Sequence, residues 1–83
     1  FILVREYQLK SGWDRLYHVD LYRLGSAEEI KSIDLTEWWQ DPKNLVVIEW
    51  AEKAGISLPR PRLEVRMKYQ DEQTREVNSE IIN

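Results

Sequence analysis

Two short apolar runs in this chain each deliver a carboxylate. Tyr17-His18-Val19-Asp20-Leu21-Tyr22-Arg23 sets Asp20 between an imidazole and a phenol at strand spacing, and Leu45-Val46-Val47-Ile48-Glu49-Trp50 ends on Glu49, 29 residues further on. A buried parallel strand hands an acidic group to a site at the edge of its sheet in this way, which points to metal or nucleotide chemistry. A carboxylate fixed there can hold hydrated Mg²⁺ or orient an attacking water. The pattern alone leaves the bland alternatives open. Glu49 also suits a solvated or salt-bridged strand end, and Asp20 a turn acceptor or an ion-pair partner of Arg23.

The elements that must position these groups can be read in chain order. Residues 1 to 10 read as a strand with Leu3, Tyr7 and Leu9 on one parity, Ser11-Gly12 as a turn, and 16 to 22 as a second strand, the two forming a hairpin. In the second strand Tyr17, Val19 and Leu21 share one face, and His18, Asp20 and Tyr22 the other. Ser26-Ala27-Glu28-Glu29 has capping-box spacing and opens a short helix over 27 to 32. Asp34-Leu35-Thr36-Glu37 repeats the cue for another short helix, ended by Asp41-Pro42, on which Trp38 and Trp39 ride. One indole is expected on the sheet and the other over an edge, since adjacent helical positions lie ~100° apart.

Leu45 to Ile48 is continuous rather than alternating, which predicts a central strand buried on both faces. Ala51 to Ala54 suits one helical turn, with Gly55 in the left-handed position that ends it. Leu58-Pro59-Arg60-Pro61 reads as a stiff connector. Arg62 to Tyr69 alternates, predicting Leu63, Val65, Met67 and Tyr69 inward with Arg62, Glu64, Arg66 and Lys68 on a solvated face. Thr74 to Ile82 can return as its hairpin partner. The predicted fold is a single α/β domain over 1–83.

Composition narrows the function classes. The 83 residues, 42% hydrophobic and 11% aromatic, suit one modest core, to which four Trp and four Tyr are expected to contribute much of the buried area. The absence of cysteine excludes disulfides and thiolate metal sites. A formal net charge of -3 gives no broad pull toward phosphate backbones, which argues against unaided nucleic-acid binding and against RNA contact through the aromatic residues. No apolar run approaches the ~18 residues of a membrane span, and no signal-peptide pattern is present, so the cytoplasm is the expected location. The chain begins at Phe1 inside a β-type run and its only methionine is Met67, which suggests the C-terminal part of a longer protein or a chain with a processed or unrecorded beginning.

Taken together, His18-Val19-Asp20-Leu21-Tyr22-Arg23-Leu24, Glu28-Glu29, Leu35-Thr36-Glu37-Trp38, Val47-Ile48-Glu49-Trp50, Leu58-Pro59 and Leu63-Glu64-Val65 resemble the C-terminal half of the TsaE (YjeE) family. That family consists of P-loop ATPases that take part in making threonylcarbamoyladenosine in tRNA. The resemblance implies the C-terminal portion of a P-loop NTPase-like mixed sheet with short helices and a C-terminal β-hairpin. It gives Asp20 a place near Mg²⁺ and its waters, makes Glu49 the Walker-B-like carboxylate that supports hydrolysis and a second metal-side group, and sets Trp50 beside the nucleotide. His18, Tyr22 and Arg23 share the motif as supporting residues. Mg²⁺ and ATP are the implied cofactors, and TsaD and TsaB family proteins the implied partners, with no direct tRNA binding by this chain.

Two departures stand out. Ala51 occupies a position where the family usually has proline. More importantly, a P-loop needs a glycine-rich turn and Gly-Lys-Ser/Thr, because backbone N–H groups must approach the phosphates and the Lys must reach them. The glycines here are Gly12, Gly25 and Gly55, and none precedes a Lys. In the family these parts lie upstream of the position of Phe1, so this chain would supply the distal half of a nucleotide site. A different class also fits: a non-catalytic interaction module that keeps the sheet without a nucleotide site of its own.

Overall fold

A computed structural model of the chain describes residues 2–55 and 58–83. Strands β1 (Leu3–Gln8), β2 (Arg15–Asp20) and β3 (Asn44–Glu49) form one sheet in the order β1-β2-β3. The pair β1 and β2 is the expected antiparallel hairpin, and β2 and β3 run parallel. The β2–β3 crossover carries a 3₁₀ segment, Ala27–Ser32, and helix α1, Leu35–Gln40, so both short helices fall where the sequence puts them. A second 3₁₀ turn, Ala51–Ala54, follows β3 and ends at Gly55 with φ 66°, the left-handed cap expected there. Strands β4 (Arg62–Asp71) and β5 (Thr74–Ile82) make a separate two-stranded antiparallel sheet. The architecture is therefore mixed α/β, with a mixed sheet and a C-terminal hairpin.

The core lies between the three-stranded sheet and the crossover. Val19 and Leu21 are fully buried, and Ile30, Leu35 and Ala54 close over them, with Ile2, Leu24, Ile33, Trp38, Trp39, Val46 and Ile48 packed around. The face of Tyr17, Val19 and Leu21 is thus the buried one. Its alternation extends across the sheet, because residues in register share a face: Val46 and Ile48 lie beside Tyr17 and Val19. Trp38 stacks on Tyr17 with ring centroids 4.3 Å apart and planes at 5°, so its indole is the one laid on the sheet. Asn44 Nδ2 donates to the Trp38 carbonyl at 3.0 Å, fastening the end of α1 to the start of β3.

Several expectations are corrected. The central strand is β2, not Leu45 to Ile48, because β1 and β3 flank it and β3 pairs on one side only among the described residues. Burial along β3 alternates accordingly, with Leu45 and Val47 exposed on the face opposite the helices. β2 stops at Asp20 rather than at Tyr22, because Asp20 Oδ1 accepts the Tyr22 N–H at 2.9 Å and turns the chain out of the ladder. Neither Ser26 nor Asp34 makes a side-chain cap. The Glu29 half of the box does reach back, its Oε1 accepting the Gly25 N–H at 2.8 Å.

In β4 the apolar face is not the buried one, although Arg66 and Lys68 are exposed as expected. Leu63, Val65, Met67 and Tyr69 are exposed, Met67 at 76%, whereas Arg62 and Glu64 are half-buried. Arg62 holds Glu64 through Nη2 and Nε at 2.5 and 3.0 Å, and this fork keeps the polar face tight. Aromatic residues also bury less than expected: Tyr7, Trp13, Tyr22, Trp50 and Tyr69 are all exposed, and aliphatic side chains make the core. No helix among the described residues is long and apolar enough to cross a membrane.

Two outcomes are expected. Leu21→Ala leaves a cavity under the crossover and should cost about 2–5 kcal/mol in urea unfolding, against a negligible change for Thr36→Ala on the exposed face of α1. The Arg62 guanidinium, with Arg66 beside it, holds the Glu64 carboxyl below the ordinary value of 4.5. A carboxyl with a depressed folded pKa stabilises above 4.5 and loses that contribution as pH falls through the folded value. Glu64→Gln should therefore flatten the acid limb of a stability-against-pH profile and leave its shape above pH 6 unchanged.

Candidate functional site

The parallel pairing of β2 with β3 places Asp20 directly in register with Glu49, and the Leu21 N–H continues the ladder onto the Glu49 carbonyl at 3.1 Å. Both carboxylates therefore stand side by side at the C-terminal ends of two parallel strands, on the face away from the helices. They are engaged differently. Asp20 Oδ1 is occupied by the Tyr22 N–H, while Oδ2 has no protein partner among the described residues. Glu49 Oε2 lies 2.6 Å from His18 Nε2, and its Oε1 likewise has no protein partner among the described residues. Each carboxylate thus has one oxygen bonded to the protein and a second without a protein partner among the described residues.

His18 reaches Glu49 because it shares the face of Asp20 and stands opposite Val47, two residues before Glu49 on the neighbouring strand. On its other side the register partner is Arg5 of β1, a cation that offers the ring no acceptor. Sequence reasoning set His18 beside Asp20 and missed its bond to Glu49. The alternation of His18 and Asp20 fixes the face, but the partner depends on which strand lies next to β2.

Trp50 follows Glu49 in the left-handed region, at φ 60° and ψ 40°, a conformation that costs a non-glycine residue about 1–2 kcal/mol. The turn swings the indole against Tyr22, with ring centroids 5.1 Å apart and planes tilted by 50°. Lys53 lies over both rings, 5.0 Å from the Tyr22 centroid and 5.6 Å from that of Trp50, and donates to the Tyr22 carbonyl at 2.7 Å. Lys53 is a second residue the sequence did not single out, and its signal is only its place one turn after Trp50. Asp20, Tyr22 and Arg23 also line an open pocket of about 180 Å³ with Leu3, and neither Glu49 nor Trp50 borders it.

Two adjacent carboxylates fit Mg²⁺ better than a metal that needs an all-protein cage. Mg²⁺ is held by one or two carboxylates while keeping several waters and taking phosphate oxygens. Among the described residues no group of three or more His, Cys, Asp or Glu could hold a metal ion.

Fold and site together define an α/β protein whose parallel strands present paired carboxylates at their C-terminal edge, with an aromatic turn immediately after the second. Comparison with known proteins specifies the family. Residues 1–77 match the family described as threonylcarbamoyl adenosine biosynthesis protein TsaE. A TsaE protein of Rickettsia bellii is 44% identical over 63 residues, covering 76% of this chain and 42% of the relative. The TsaE proteins of Haemophilus influenzae and of a Nostoc species are 32% and 35% identical, covering 87% and 92% of this chain and 44% and 46% of the relatives. All three carry the name tRNA threonylcarbamoyladenosine biosynthesis protein TsaE. The chain belongs to the TsaE family, and it spans less than half the length of these curated relatives.

The backbone at Trp50 gives a direct check. Trp50→Gly and Trp50→Ala both remove the indole, but only glycine adopts the left-handed conformation without a Cβ penalty. The glycine variant should be more stable than the alanine variant by about 1 kcal/mol in denaturant titrations. Equal stability, or a more stable alanine variant, would show that the turn relaxes to negative φ once the indole is gone.

Proposed function

We propose that this chain supplies the magnesium-side carboxylates and the aromatic turn of an ATP-hydrolysing site, in a protein that serves tRNA threonylcarbamoyladenosine formation. The observation that carries the reading is the in-register placement of Asp20 and Glu49 at the C-terminal ends of neighbouring parallel strands, the edge at which open α/β sheets bind nucleotides. Family membership supports the biosynthetic setting. TsaD and TsaB family proteins are the proposed partners, with TsaD carrying the transfer chemistry. Nucleotide turnover here would drive or reset that machinery rather than act on the threonylcarbamoyl group.

Asp20 and Glu49 would hold Mg²⁺, which when bound neutralises charge on the phosphate oxygens. The protein's own part is positional. Asp20 is anchored by the Tyr22 N–H and keeps its other oxygen in place for a metal-bound water. Glu49, fixed by His18, presents its second oxygen as a hydrogen-bond acceptor that can orient a water. Trp50, with Tyr22 and Lys53 behind it, offers an exposed indole at the mouth of the same edge. The phosphate-binding loop has no counterpart in these 83 residues, since no glycine precedes a lysine. In a polypeptide of the relatives' length it would come from the remaining part.

That same lack favours a second reading, in which these residues act as an interaction module. The apolar face of the β4–β5 hairpin, where Leu63, Met67, Val77 and Ile81 are exposed, is the surface such a module would use.

Mg-ATP titration and mutagenesis separate the two. The 83-residue chain alone should show no saturable change in tryptophan emission. In a polypeptide that joins it to a Gly-Lys-Thr-bearing segment and is assembled with TsaB and TsaD proteins, Asp20→Asn and Glu49→Gln should each reduce ATP turnover about 10²–10⁴-fold with unchanged circular dichroism. Wild-type turnover in both variants would show that these carboxylates do not serve hydrolysis and would leave the interaction module as the account of this chain.

A further inference from the structure

We propose that His18 is a positioning residue for Glu49: it holds one carboxylate oxygen so that the other is presented at the edge of the sheet. The inference rests on the ATPase reading above and deepens it, because it identifies which side chain sets the orientation of the carboxylate that acts on water.

Three observations carry it. His18 Nε2 and Glu49 Oε2 are 2.6 Å apart, the separation of a strong charge-assisted hydrogen bond. An ionised carboxylate only accepts, so Nε2 carries the proton and the ring donates to Glu49. Without this bond Glu49 has no protein partner among the described residues, and its side chain is 53% exposed on the last residue of a flanking strand. A glutamate so placed has three rotatable torsions and nothing else to select among them. The imidazole, by contrast, is half-buried on the central strand, between Arg5 and Val47 in register, and has only two torsions to fix. The more constrained partner therefore orients the less constrained one.

The arrangement also separates the two carboxylates by what fixes them. Asp20 is held by a backbone N–H two residues away, which any side chain at position 22 other than proline would provide. Glu49 is held by a side chain 31 residues away, which only the β2–β3 pairing brings near. Partners of this kind, which orient a functional ligand through one hydrogen bond, typically cost 10–100-fold in activity when removed.

The test uses the polypeptide described above, in which this chain is joined to a Gly-Lys-Thr-bearing segment and assembled with TsaB and TsaD proteins. His18→Ala should lower kcat for ATP about 10–100-fold while KM changes by no more than about twofold, since the nucleotide-binding groups remain. His18→Gln, whose amide N–H can reach the same oxygen, should recover most of the loss. A kcat for His18→Ala equal to wild type, in a protein where Glu49→Gln abolishes turnover, would overturn the proposal and leave the ATPase reading intact. If Glu49→Gln leaves turnover at the wild-type level, Glu49 does not act on water, and the proposal falls together with that residue's place in the ATPase reading. A second readout needs neither nucleotide nor turnover: long-range ¹H–¹⁵N spectra of the wild-type protein should show the His18 proton on Nε2, and Glu49→Ala should shift that nitrogen. An Nδ1–H tautomer that is insensitive to Glu49→Ala would overturn the proposal even if the His18 variants fail to fold.

Discussion

Parallel pairing of β2 with β3 is the constraint on which the rest of this structure depends. Leu16 pairs with Leu45, and the ladder runs without interruption to Asp20 and Glu49. Because the side-chain period of a strand is two, a slip of one residue would move Val46 and Ile48 off the core and turn Glu49 toward the helices. The same register that packs the apolar face therefore places the carboxylates together on the other. Packing and site cannot be adjusted separately here, since each residue of β3 serves one face or the other.

Parallel neighbours require a crossover, and the crossover is where the core is completed. The 3₁₀ segment brings Ile30 and α1 brings Leu35 over Val19 and Leu21, while Trp38 lies flat on Tyr17. Burial of these apolar groups is the main favourable term holding the layers together, and five buried side chains among the described residues make a small core for it. Ala54 belongs to the same cluster, so the turn after β3 is tied to the core from below even as Trp50 and Lys53 face the site above. The left-handed backbone at Trp50 is what allows both. It redirects the chain immediately after Glu49 and sets the indole against Tyr22 and Lys53.

Much of this was legible in the sequence because local signals and tertiary placement agreed. The short helices at 27–32 and 35–40, the β1–β2 hairpin, the grouping of side chains on the two faces of β2 and the glycine cap at position 55 all follow from spacing and turn chemistry. The misreadings share a cause. Continuity of Leu45 to Ile48 reports that both faces of β3 are apolar, but not that both are covered, and the residues described cover one. Alternation in β4 correctly sorts its side chains by face, yet the choice of the inward face depends on what packs against the hairpin. There the Arg62–Glu64 fork closes the polar side while Leu63 and Met67 stay exposed. Nor does the capping box decide its own geometry. Glu29 bonds the Gly25 N–H, one position before the expected cap, because Gly25 has no side chain to keep the carboxylate away; a Cβ there would meet Glu29 Oε1 at 2.9 Å.

The site was legible to a different depth. Asp20 and Glu49 could be named because strand ends and family resemblance both marked them, Trp50 by the resemblance alone, and all three lie at one edge of the sheet. The groups that fix them could not, because His18 and Lys53 act across 31 residues of sequence, on Glu49 and on the Tyr22 carbonyl respectively. These two long-range contacts run in opposite senses: a side chain of β2 reaches the carboxylate that ends β3, and a side chain after β3 reaches the backbone that follows β2. Together they tie the two strand ends to each other beyond the last ladder bond. A carboxylate edge held from both sides keeps its geometry even though each of its acidic groups is open to solvent on the face where a ligand would approach.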